Sequence, residues 1–369
     1  MSYYSKFNIV YRLQKWMDSV PGQTFLNYAY SWGASIVIAG TLFKLTHLPG
    51  ANFMLFLGMG TEIFVFFLSA FDRPFDKTAE GRDLPTHATE EYLEGKVSAE
   101  EMMTDSDLFS YEYTLEGASS RKFAYFDLVV DGTVIRHDGY EGISSMSGNF
   151  SAPLPAGTHH VALYFPNLFK GNIRNVTLSD GATFAPVEKS CRIYAVGDSI
   201  TQGYDAKFSC GAYSNLLADM LNAEVVNHGI GGDVFHPDMI DADMPYTPDI
   251  ITVAYGTNDW SGRIREHTVE AANEYYRRLA AAFPNAKIFA ITPIWRADEF
   301  RHTRVGDFAD IIQIVTDAAT AAGAVVIDGE RLIPHSPAVC SDAYLHPNDL
   351  GFQYYAHNLY LAMKPHLEG

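Results

Sequence analysis

The sequence predicts a chain whose largest part, residues 189–369, is an α/β domain with a parallel sheet. Three observations predict this architecture. Short apolar β stretches alternate with helical stretches over residues 189–369, and a period of two marks residues 108–188. Two long stretches almost without charge lie within residues 1–77. Residues 78–107 are polar and acidic, and we expect them to form a linker between the first part and the second.

Composition limits the functions that such a chain can have. Its 369 residues are enough for two or three domains, and its formal net charge of −18 argues against nucleic acid as a partner. The three cysteines, Cys191, Cys210 and Cys340, lie far apart without metal-ligand spacing. We therefore expect buried thiols, and neither a disulfide framework nor a zinc site.

The first part has the character of a membrane segment. Residues 25–43 carry no charge, and residues 50–71 carry only Glu62. Each stretch is long enough to cross a hydrocarbon core about 30 Å thick as a helix. Buried core helices and a signal peptide are the alternatives, but core helices of this length show a polar face, and a signal peptide ends in a cleavage site. The pattern predicts a two-helix membrane hairpin with its turn at residues 48–50.

Basic residues flank the outer ends of this hairpin, and the turn has none beyond Lys44 at its edge. By the positive-inside rule, both termini and all later domains are expected on the cytoplasmic side of the inner membrane, with the lipid bilayer as a partner. The flanking basic residues are Lys6, Arg12, Lys15, Arg73 and Lys77.

Three strings in this part carry a resemblance. NYAYSWGA (27–34), LFKLTH (42–47) and FLSAF (67–71) resemble GldL, also called PorL, the inner-membrane subunit of the gliding and type IX secretion motor. The resemblance implies a proton-coupled motor subunit, a homo-oligomer formed through the hairpin, and a single-span partner similar to GldM. It gives Glu62 the role of proton carrier, with Lys44 as a companion. A protonated Glu62 bonded to a neighbouring helix is the structural alternative.

The second part shows the alternation of an antiparallel β domain. Turn residues separate its strands, and an antiparallel sandwich of jelly-roll type is the expected fold. Before it, Ser98 and Glu101 fit a capping box and predict one short helix. Residues 140–148 are too polar for a strand and are expected to form a loop. The predicted strands are at 110–115, 123–130, 132–136, 159–165 and 173–178.

The last part alternates β stretches with helices. In open α/β sheets, sites form where the strands end, and the candidate residues described below all follow strands. The β stretches are at 193–196, 225–227, 250–254, 288–291 and 324–327, and the helices at 215–221, 269–283 and 307–322.

The string RIYAVGDSITQG, residues 192–203, contains the first candidate. It predicts a buried strand, a tight turn at residues 197–199 and a helix from about Thr201. A serine on such a turn, Ser199, presents its hydroxyl beside unpaired N–H groups that suit a developing negative charge. An ordinary structural turn is the alternative. The string GDSITQG resembles the first block of the SGNH (GDSL) hydrolases, in which this serine is the nucleophile. That resemblance implies a flavodoxin-like parallel sheet, preceded here by an accessory β domain as in some SGNH esterases.

Two later strings match the same family in order. NHGIGGD, residues 227–233, matches the second block, and by this match the backbone N–H of Gly232 joins that of Ser199 in an oxyanion hole. YGTND, residues 255–259, follows a strand, and the side-chain amide of Asn258 can add a further donor. A flexible loop and ordinary turn-forming residues are the alternative interpretations of these two strings.

The string SDAYLHPNDLG, residues 341–351, supplies the expected general base, His346. A neutral imidazole, whose ordinary pKa is about 6.5, suits proton transfer to and from a serine. The family has an aspartate three residues before this histidine, where this chain has Ala343; Asp342 lies four before. Either the loop bulges by one residue so that Asp342 reaches the imidazole, or a backbone carbonyl orients the ring in a Ser–His dyad. The competing histidines are His228, His236 and His335.

Together these residues predict a serine esterase that hydrolyses short-chain acyl esters of a small-molecule or glycan substrate, tethered to the inner membrane. O-acetylated carbohydrate is implied by the family resemblance, and no metal or organic cofactor is expected. Two alternatives stay open. The chain can be a GldL-like motor subunit that carries the hydrolase domain, or a glycan-binding module with an inactive serine site. A contact between Ser199 and His346 would argue against the inactive site.

Overall fold

The structure is a computed structural model, and it describes residues 20–46, 49–69, 99–117, 121, 123–142 and 146–367. The chain divides into two compact units, Met1–Leu84 and Pro85–Gly369. The basic flanks of the predicted hairpin and most of the predicted acidic linker lie outside the described residues.

Two helices form the described part of the first unit. Helix α1 spans Val20–Leu45, helix α2 spans Ala51–Ser69, and the two lie side by side. Near the turn, the Lys44 ammonium donates a hydrogen bond of 2.7 Å to the Asn52 side chain. Two membrane spans are predicted here, but among the described residues no helix is long and apolar enough to cross a membrane.

The second unit begins with an antiparallel β domain of two sheets. One sheet has the strand order β4-β3-β6-β1-β8, and the other has the order β5-β2-β7. Tyr111 and Tyr113 of one sheet and Phe126 of the other share the core between them. The domain is therefore an antiparallel sandwich, and its jelly-roll connectivity stays a prediction. Its described strands are β1 (Ala99–Thr104), β2 (Leu108–Glu116), β3 (Phe123–Val130), β4 (Thr133–Glu141), β5 (Ser147–Pro153), β6 (His159–Tyr164), β7 (Lys170–Leu178) and β8 (Phe184–Pro186).

The short helix predicted from Ser98 is wrong, because Ala99–Thr104 form strand β1. This strand pairs with β6 on one side and β8 on the other. Glu101, the presumed capping-box residue, instead lies 2.6 Å from the His160 ring of β6 and 2.6 Å from the Lys189 ammonium. Pairing with two neighbouring strands outweighs a local helix signal of this size.

The loop predicted over residues 140–148 is wrong at both ends. Strand β4 extends to Glu141, and strand β5 begins at Ser147. Strand β5 lies at the edge of its sheet, so most of its side chains face solvent and give it a polar sequence. Its inward residue Phe150 stacks on Tyr113 with the ring centroids 5.2 Å apart, and this contact fixes it as a strand.

The remainder of the second unit is the α/β domain. All its strand pairs are parallel, and the predicted strand at 250–254 is observed with the same bounds. The helix expected from about Thr201 begins two residues earlier, at Ser199. The strands are β9 (Cys191–Gly197), β10 (Ala223–Gly229), β11 (Ile250–Ala254), β12 (Lys287–Ile291) and β13 (Val325–Ile327). The helices are α3 (Ser199–Gln202), α4 (Tyr213–Leu221), α5 (Thr257–Gly262), α6 (Arg265–Ala282), α7 (Phe308–Ala321) and α8 (Asp349–Leu367).

The order of this sheet determines where a site can form. The strands run β10-β9-β11-β12-β13, so the first strand of the domain lies between the second and the third. This is the flavodoxin-like order, and it confirms the predicted parallel-sheet fold. The strand order reverses direction between β9 and β11, where the connections diverge and leave a crevice at the carboxyl ends of the strands. Ser199 follows β9 and Asn258 follows β11, so both lie at this crevice.

The β domain packs against the α/β domain through polar contacts. The Cys210 backbone N–H donates to the buried Asp127 carboxylate at 2.9 Å, and the Tyr164 hydroxyl donates to Asp219 at 2.8 Å. The His137 ring stacks on Phe208 with the centroids 3.5 Å apart. Asp127, His137 and Tyr164 belong to β3, β4 and β6, so one sheet of the β domain supplies all three contacts.

Candidate active site

The turn from Gly197 to Gly203 presents Ser199 at the end of β9. Asp198 caps the one-turn helix α3, because its side chain accepts a hydrogen bond of 2.9 Å from the Ile200 N–H. Gly203 ends the helix in the left-handed conformation, with φ +84°. Burial, as the largest influence, raises the pKa of Asp198 to about 7.

Glycine at position 197 allows this turn to fold back tightly on the sheet. A Cβ atom on Gly197 would lie 2.1 Å from the Thr201 hydroxyl and 2.8 Å from the Ala254 carbonyl oxygen. No other residue type fits without moving the helix off the strand. On this closely packed turn, Ser199 is only 7% exposed.

His346 makes the contact to Ser199. The Ser199 Oγ and the His346 Nε2 are 2.9 Å apart, and the other ring nitrogen, Nδ1, lies 2.8 Å from the Asp342 Oδ2. With the proton on Nδ1 directed to the carboxylate, Nε2 accepts the serine proton. The structure therefore brings Ser199, His346 and Asp342 into one continuous hydrogen-bonded chain.

The extra residue between Asp342 and His346 is accommodated by the backbone. Ala343 adopts φ +56°, a left-handed conformation that bulges the loop by the one residue required. The Asp342 Oδ1 accepts from the N–H groups of Tyr344, Leu345 and His346, at 2.9, 2.8 and 3.2 Å. Burial alone would raise the pKa of Asp342, but these hydrogen bonds and the bond to His346 lower it, so the carboxylate stays charged.

A buried arginine braces the loop that carries His346. Arg296 donates to the Tyr344 hydroxyl at 2.6 Å, to Asp298 at 2.5 Å and to the Thr257 hydroxyl at 2.8 Å. Burial would raise the pKa of Asp298, but hydrogen bonds from Arg296, Tyr344 and Arg301 lower it to about 2. Arg296 thus ties the loop of the histidine to the start of α5, next to Asn258.

The two other expected oxyanion donors lie on loops around the same crevice. Gly232 has φ +77°, and its loop is tied to the nucleophile turn, because the Ile230 N–H donates to the Gly197 carbonyl at 3.0 Å. The Asn258 amide donates to the Asp233 carbonyl at 2.9 Å, which fixes its orientation and leaves its second N–H for another acceptor. Asp233 is buried, and burial as the largest influence raises its pKa to about 7.

The competing histidines are engaged elsewhere. His228 lies buried with its Nδ1 2.6 Å from the Tyr194 hydroxyl, and His236 lies 3.3 Å from the Asp233 carboxylate. His335 stacks on Trp295 and lies 2.8 Å from the Glu330 carbonyl oxygen. In the first unit, Lys44 contacts Asn52, and the side chain of Glu62 lies outside the described part of the structure.

Sequence reasoning missed Asp205 and Arg121, two charged residues near the histidine. Asp205 and Asp342 each place a carboxylate oxygen, and His346 a ring nitrogen, within 4.8 Å of one another. Asp205 follows the nucleophile block by two residues, which is the only signal that the sequence offers for it. Both its oxygens are bonded by Arg121, a residue of the β domain. Because these carboxylates already have cationic or N–H partners, we interpret the group as a charge network and not as a metal site.

Comparison with known families identifies the class of this fold and site. Residues 195–354 match the model of the GDSL-like lipase/acylhydrolase family. Residues 29–88 match the model of the GldL N-terminal domain. Both resemblances predicted from the sequence are confirmed.

Solved structures share the fold at low identity. A salicylyl-acyltransferase from a tetracycline biosynthetic pathway has a TM-score of 0.59 at 20% identity, covering 72% of this chain and 82% of its own. A family two carbohydrate esterase from Clostridium thermocellum, in complex with cellohexaose, has 0.55 at 18%, covering 74% and 93%. An acetyl xylan esterase from the rumen bacterium Butyrivibrio proteoclasticus has 0.51 at 17%, covering 73% and 90%. No curated protein sequence matches the chain.

Proposed function

We propose that this protein is a serine esterase of the SGNH type that hydrolyses short-chain acyl esters. The observation that carries the proposal is the hydrogen-bonded chain in which Ser199 Oγ lies 2.9 Å from His346 Nε2 and His346 Nδ1 lies 2.8 Å from Asp342. This is the geometry that activates a serine hydroxyl for attack on a carbonyl.

The mechanism follows from the order of these contacts. Ser199 attacks the ester carbonyl while His346 takes its proton, and Asp342 stabilises the imidazolium that forms. The backbone N–H groups of Ser199 and Gly232 and the Asn258 amide hold the negative oxygen of the tetrahedral intermediate. His346 then gives the proton to the leaving alcohol. Water then attacks the acyl-enzyme carbonyl while His346 takes its proton. His346 returns a proton to Ser199, and the acid is released.

For the substrate we propose O-acetylated carbohydrate. Two of the solved structures with this fold are a carbohydrate esterase in complex with cellohexaose and an acetyl xylan esterase. Their alignments cover 74% and 73% of this chain, which is more than the α/β domain alone, about half of its length.

The contact between Ser199 and His346 also weighs against an inactive serine site. An inactive site does not require a serine that is only 7% exposed and hydrogen-bonded to a histidine whose other ring nitrogen contacts a carboxylate. For the alternative function as a motor subunit, the support is the match of residues 29–88 to the GldL N-terminal domain.

The test is hydrolysis of p-nitrophenyl esters of increasing chain length, and of acetylated xylan, by the detergent-solubilised full chain. We expect turnover that favours acetate and falls by roughly 10⁴–10⁶-fold in Ser199→Ala. Ser190→Ala, at the exposed opposite end of β9, is the matched control and should retain activity. Equal turnover by the wild type and Ser199→Ala would refute the proposal.

We further propose that the two N-terminal helices tether the enzyme to a membrane. The support is the GldL match and a set of large apolar side chains exposed on both helices, which water does not accommodate well over a continuous surface. After cell lysis, we expect the full chain in the membrane fraction and resistant to extraction at alkaline pH. Recovery in the supernatant would refute the tether and leave the esterase proposal untouched. The exposed side chains include Trp32, Ile38, Leu42, Phe53, Phe56 and Ile63.

A further inference from the structure

The β domain reaches into the candidate active site through one side chain. Arg121 lies on the connection between β2 and β3 and forms a two-pronged ion pair with Asp205, which follows helix α3. We propose that Arg121 is a positioning residue that balances the charge of Asp205 beside His346, so that the β domain sets the pH at which the base becomes active. This proposal rests on the esterase function given above.

The ion pair is specific in geometry. The Arg121 Nε donates to the Asp205 Oδ1 at 2.5 Å, and an Nη donates to the Oδ2 at 2.9 Å. The Asp205 side chain is only 4% exposed, and its backbone has φ +74°, which is rare for a residue other than glycine. A buried carboxylate in such a conformation is held by its surroundings, and the guanidinium is the charged partner that faces it.

The pair lies against the base as well as against the nucleophile turn. The Arg121 guanidinium stacks 4.8 Å above the Tyr204 ring, and that ring lies 4.8 Å from the His346 ring. The Tyr204 N–H donates to the Ser199 carbonyl at 2.9 Å, so the same segment continues the turn of the nucleophile. One carboxylate oxygen of Asp205, one of Asp342 and a ring nitrogen of His346 lie within 4.8 Å of one another.

A second contact from the β domain fixes the position of this segment. Gly203 lies so close to Asn167 that a Cβ atom would be 2.6 Å from the Asn167 amide nitrogen. The Asn167 N–H donates to the Ser209 hydroxyl at 3.2 Å. The segment from Gly203 to Ser209 is thus clamped by the β domain at both ends, and Asp205 is kept next to His346.

Charge balance gives this arrangement a consequence for catalysis. Asp342 and Asp205 are two negative charges beside one imidazole, and both favour its protonated form, which cannot accept the serine proton. Arg121 cancels the second of them. The hydrogen bonds to Asp205, with smaller contributions from the charges of Asp205 and Asp342, raise the pKa of Arg121.

Other charged groups near His346, among the residues that the structure describes, have partners of their own or lie buried. Beyond Tyr344, Asp298 is bonded by Arg296 and Arg301. Beside Asp205, Lys207 pairs with Glu141 of the β domain, and its N–H donates to Asp349 at 3.2 Å. Asp198 lies buried beneath the nucleophile turn with a raised pKa. These described pairs involve neither Arg121 nor Asp205, so Arg121→Gln leaves them in place while it changes the net charge facing the imidazole.

The test is the acid limb of the pH profile of kcat/KM, which reports protonation of the base in the uncomplexed enzyme. Arg121→Gln leaves Asp205 unbalanced, so the limb should move to higher pH by about half a unit to one unit. Asp205→Asn leaves Arg121 unbalanced, so the limb should move to lower pH by a similar amount. The double variant should return close to the wild type. Arg174→Gln, which breaks the exposed pair of Arg174 with Glu112 in the β domain, is the control and should leave the limb unmoved.

The opposite directions of the two expected pH shifts distinguish charge balance from a purely structural role of Arg121. A purely structural contact would lower kcat at every pH in both single variants and leave the limb where it is, and that result would overturn the proposal. The titration of the His346 ring, followed by NMR of histidine-labelled full chain and assigned with His346→Gln, gives the same shifts without any turnover. If the His346 titration shifts in opposite directions in a chain that hydrolyses no ester, the role proposed for Arg121 is supported and the esterase function is refuted. If the titration does not move in a chain that is an active esterase, the role of Arg121 is refuted and the esterase function is supported.

Discussion

The two segments that supply the proposed nucleophile and base are built by different means. The nucleophile turn is held by its own neighbours: Asp198 caps the helix that begins at Ser199, and Gly197 permits the close fold-back onto β9. The loop of the base is held by side chains from distant parts of the chain, and Arg296, fifty residues before His346, provides its main brace.

This difference explains why the nucleophile turn can be predicted from the sequence, whereas the conformation of the loop that carries His346 cannot. A turn that depends on local capping and on close approach of the backbone requires particular residue types at particular positions. GDSITQG is a sequence of this kind. A loop fixed by distant partners tolerates a change of spacing if one residue absorbs it. Here Ala343 absorbs the extra residue, and Asp342 still reaches the imidazole at 2.8 Å.

Among the variants that test the base loop, the largest effect is expected from Asp342→Asn, at the carboxylate that contacts His346. The amide keeps the size of the side chain but loses the charge that stabilises the imidazolium, and it favours the wrong ring tautomer. We expect kcat to fall by roughly 10³–10⁴-fold, as such a substitution does in other Ser–His–Asp enzymes. Stopped assays of p-nitrophenyl acetate hydrolysis measure it.

The same experiment separates a triad from a dyad. Asp328→Asn, at an exposed acidic residue that caps a short helical turn, is the control for loss of one carboxylate. If Asp342→Asn lowers kcat by no more than this control does, a backbone group orients the ring and the proposed role of Asp342 is wrong. Because the pKa of Asp342 is lowered in the folded chain, its charge persists below its ordinary titration range. Wild-type activity lost on moderate acidification therefore does not report protonation of this carboxylate.

The sequence was sufficient for the fold of the α/β domain and for the residues on its strands. Alternating apolar and helical stretches predict the parallel sheet, and strand ends locate Ser199 and Asn258. Short-range patterns failed where pairing partners decide the outcome. Strand β1 has a sequence typical of a helix start but lies between two strands. Strand β5 has a polar sequence because it lies at the edge of its sheet with one face in solvent.

Contacts between distant residues account for what the sequence could not provide. Nothing in the composition connects Arg121 to Asp205, which are 84 residues apart and belong to different domains. Arg296 and Tyr344 likewise meet only because β12 ends beside the loop of the base. Such pairs depend on the assembled fold, so a single sequence identifies their members only as ordinary charged or aromatic residues.

An intermediate effect is expected from Arg296→Met, which removes the distant brace and keeps the side-chain length. Asp298 then keeps only the half-exposed Arg301 as a cationic partner, so the folded state should lose stability by less than the about 3–5 kcal/mol that a buried charge with no partner costs. The loop of His346 loses its link to Thr257, and we expect kcat to fall by about 10²-fold through misplacement of the base. Thermal unfolding and ester hydrolysis of the same preparation measure the two effects.

Arg296→Met combined with Asp298→Asn is the informative companion, because it removes both charges. We expect the double variant to recover much of the stability but little of the activity, since the bond to Tyr344 remains broken. If activity returns together with stability, the brace acts only through folding, and the distinction between the two segments does not hold for catalysis.

The smallest effect is expected from Ala343→Gly, at the residue that absorbs the extra spacing. Alanine at φ +56° is less favourable than glycine, although glycine also gains freedom in the unfolded chain. We expect the variant to be more stable by about 0.5–1 kcal/mol with kcat within about two-fold of the wild type. Ala343→Val, in contrast, cannot adopt this conformation without strain, so it should lower both stability and kcat. Equal effects of Gly and Val on kcat would show that Asp342 reaches His346 without the left-handed bulge, and the base loop would then be as locally determined as the nucleophile turn.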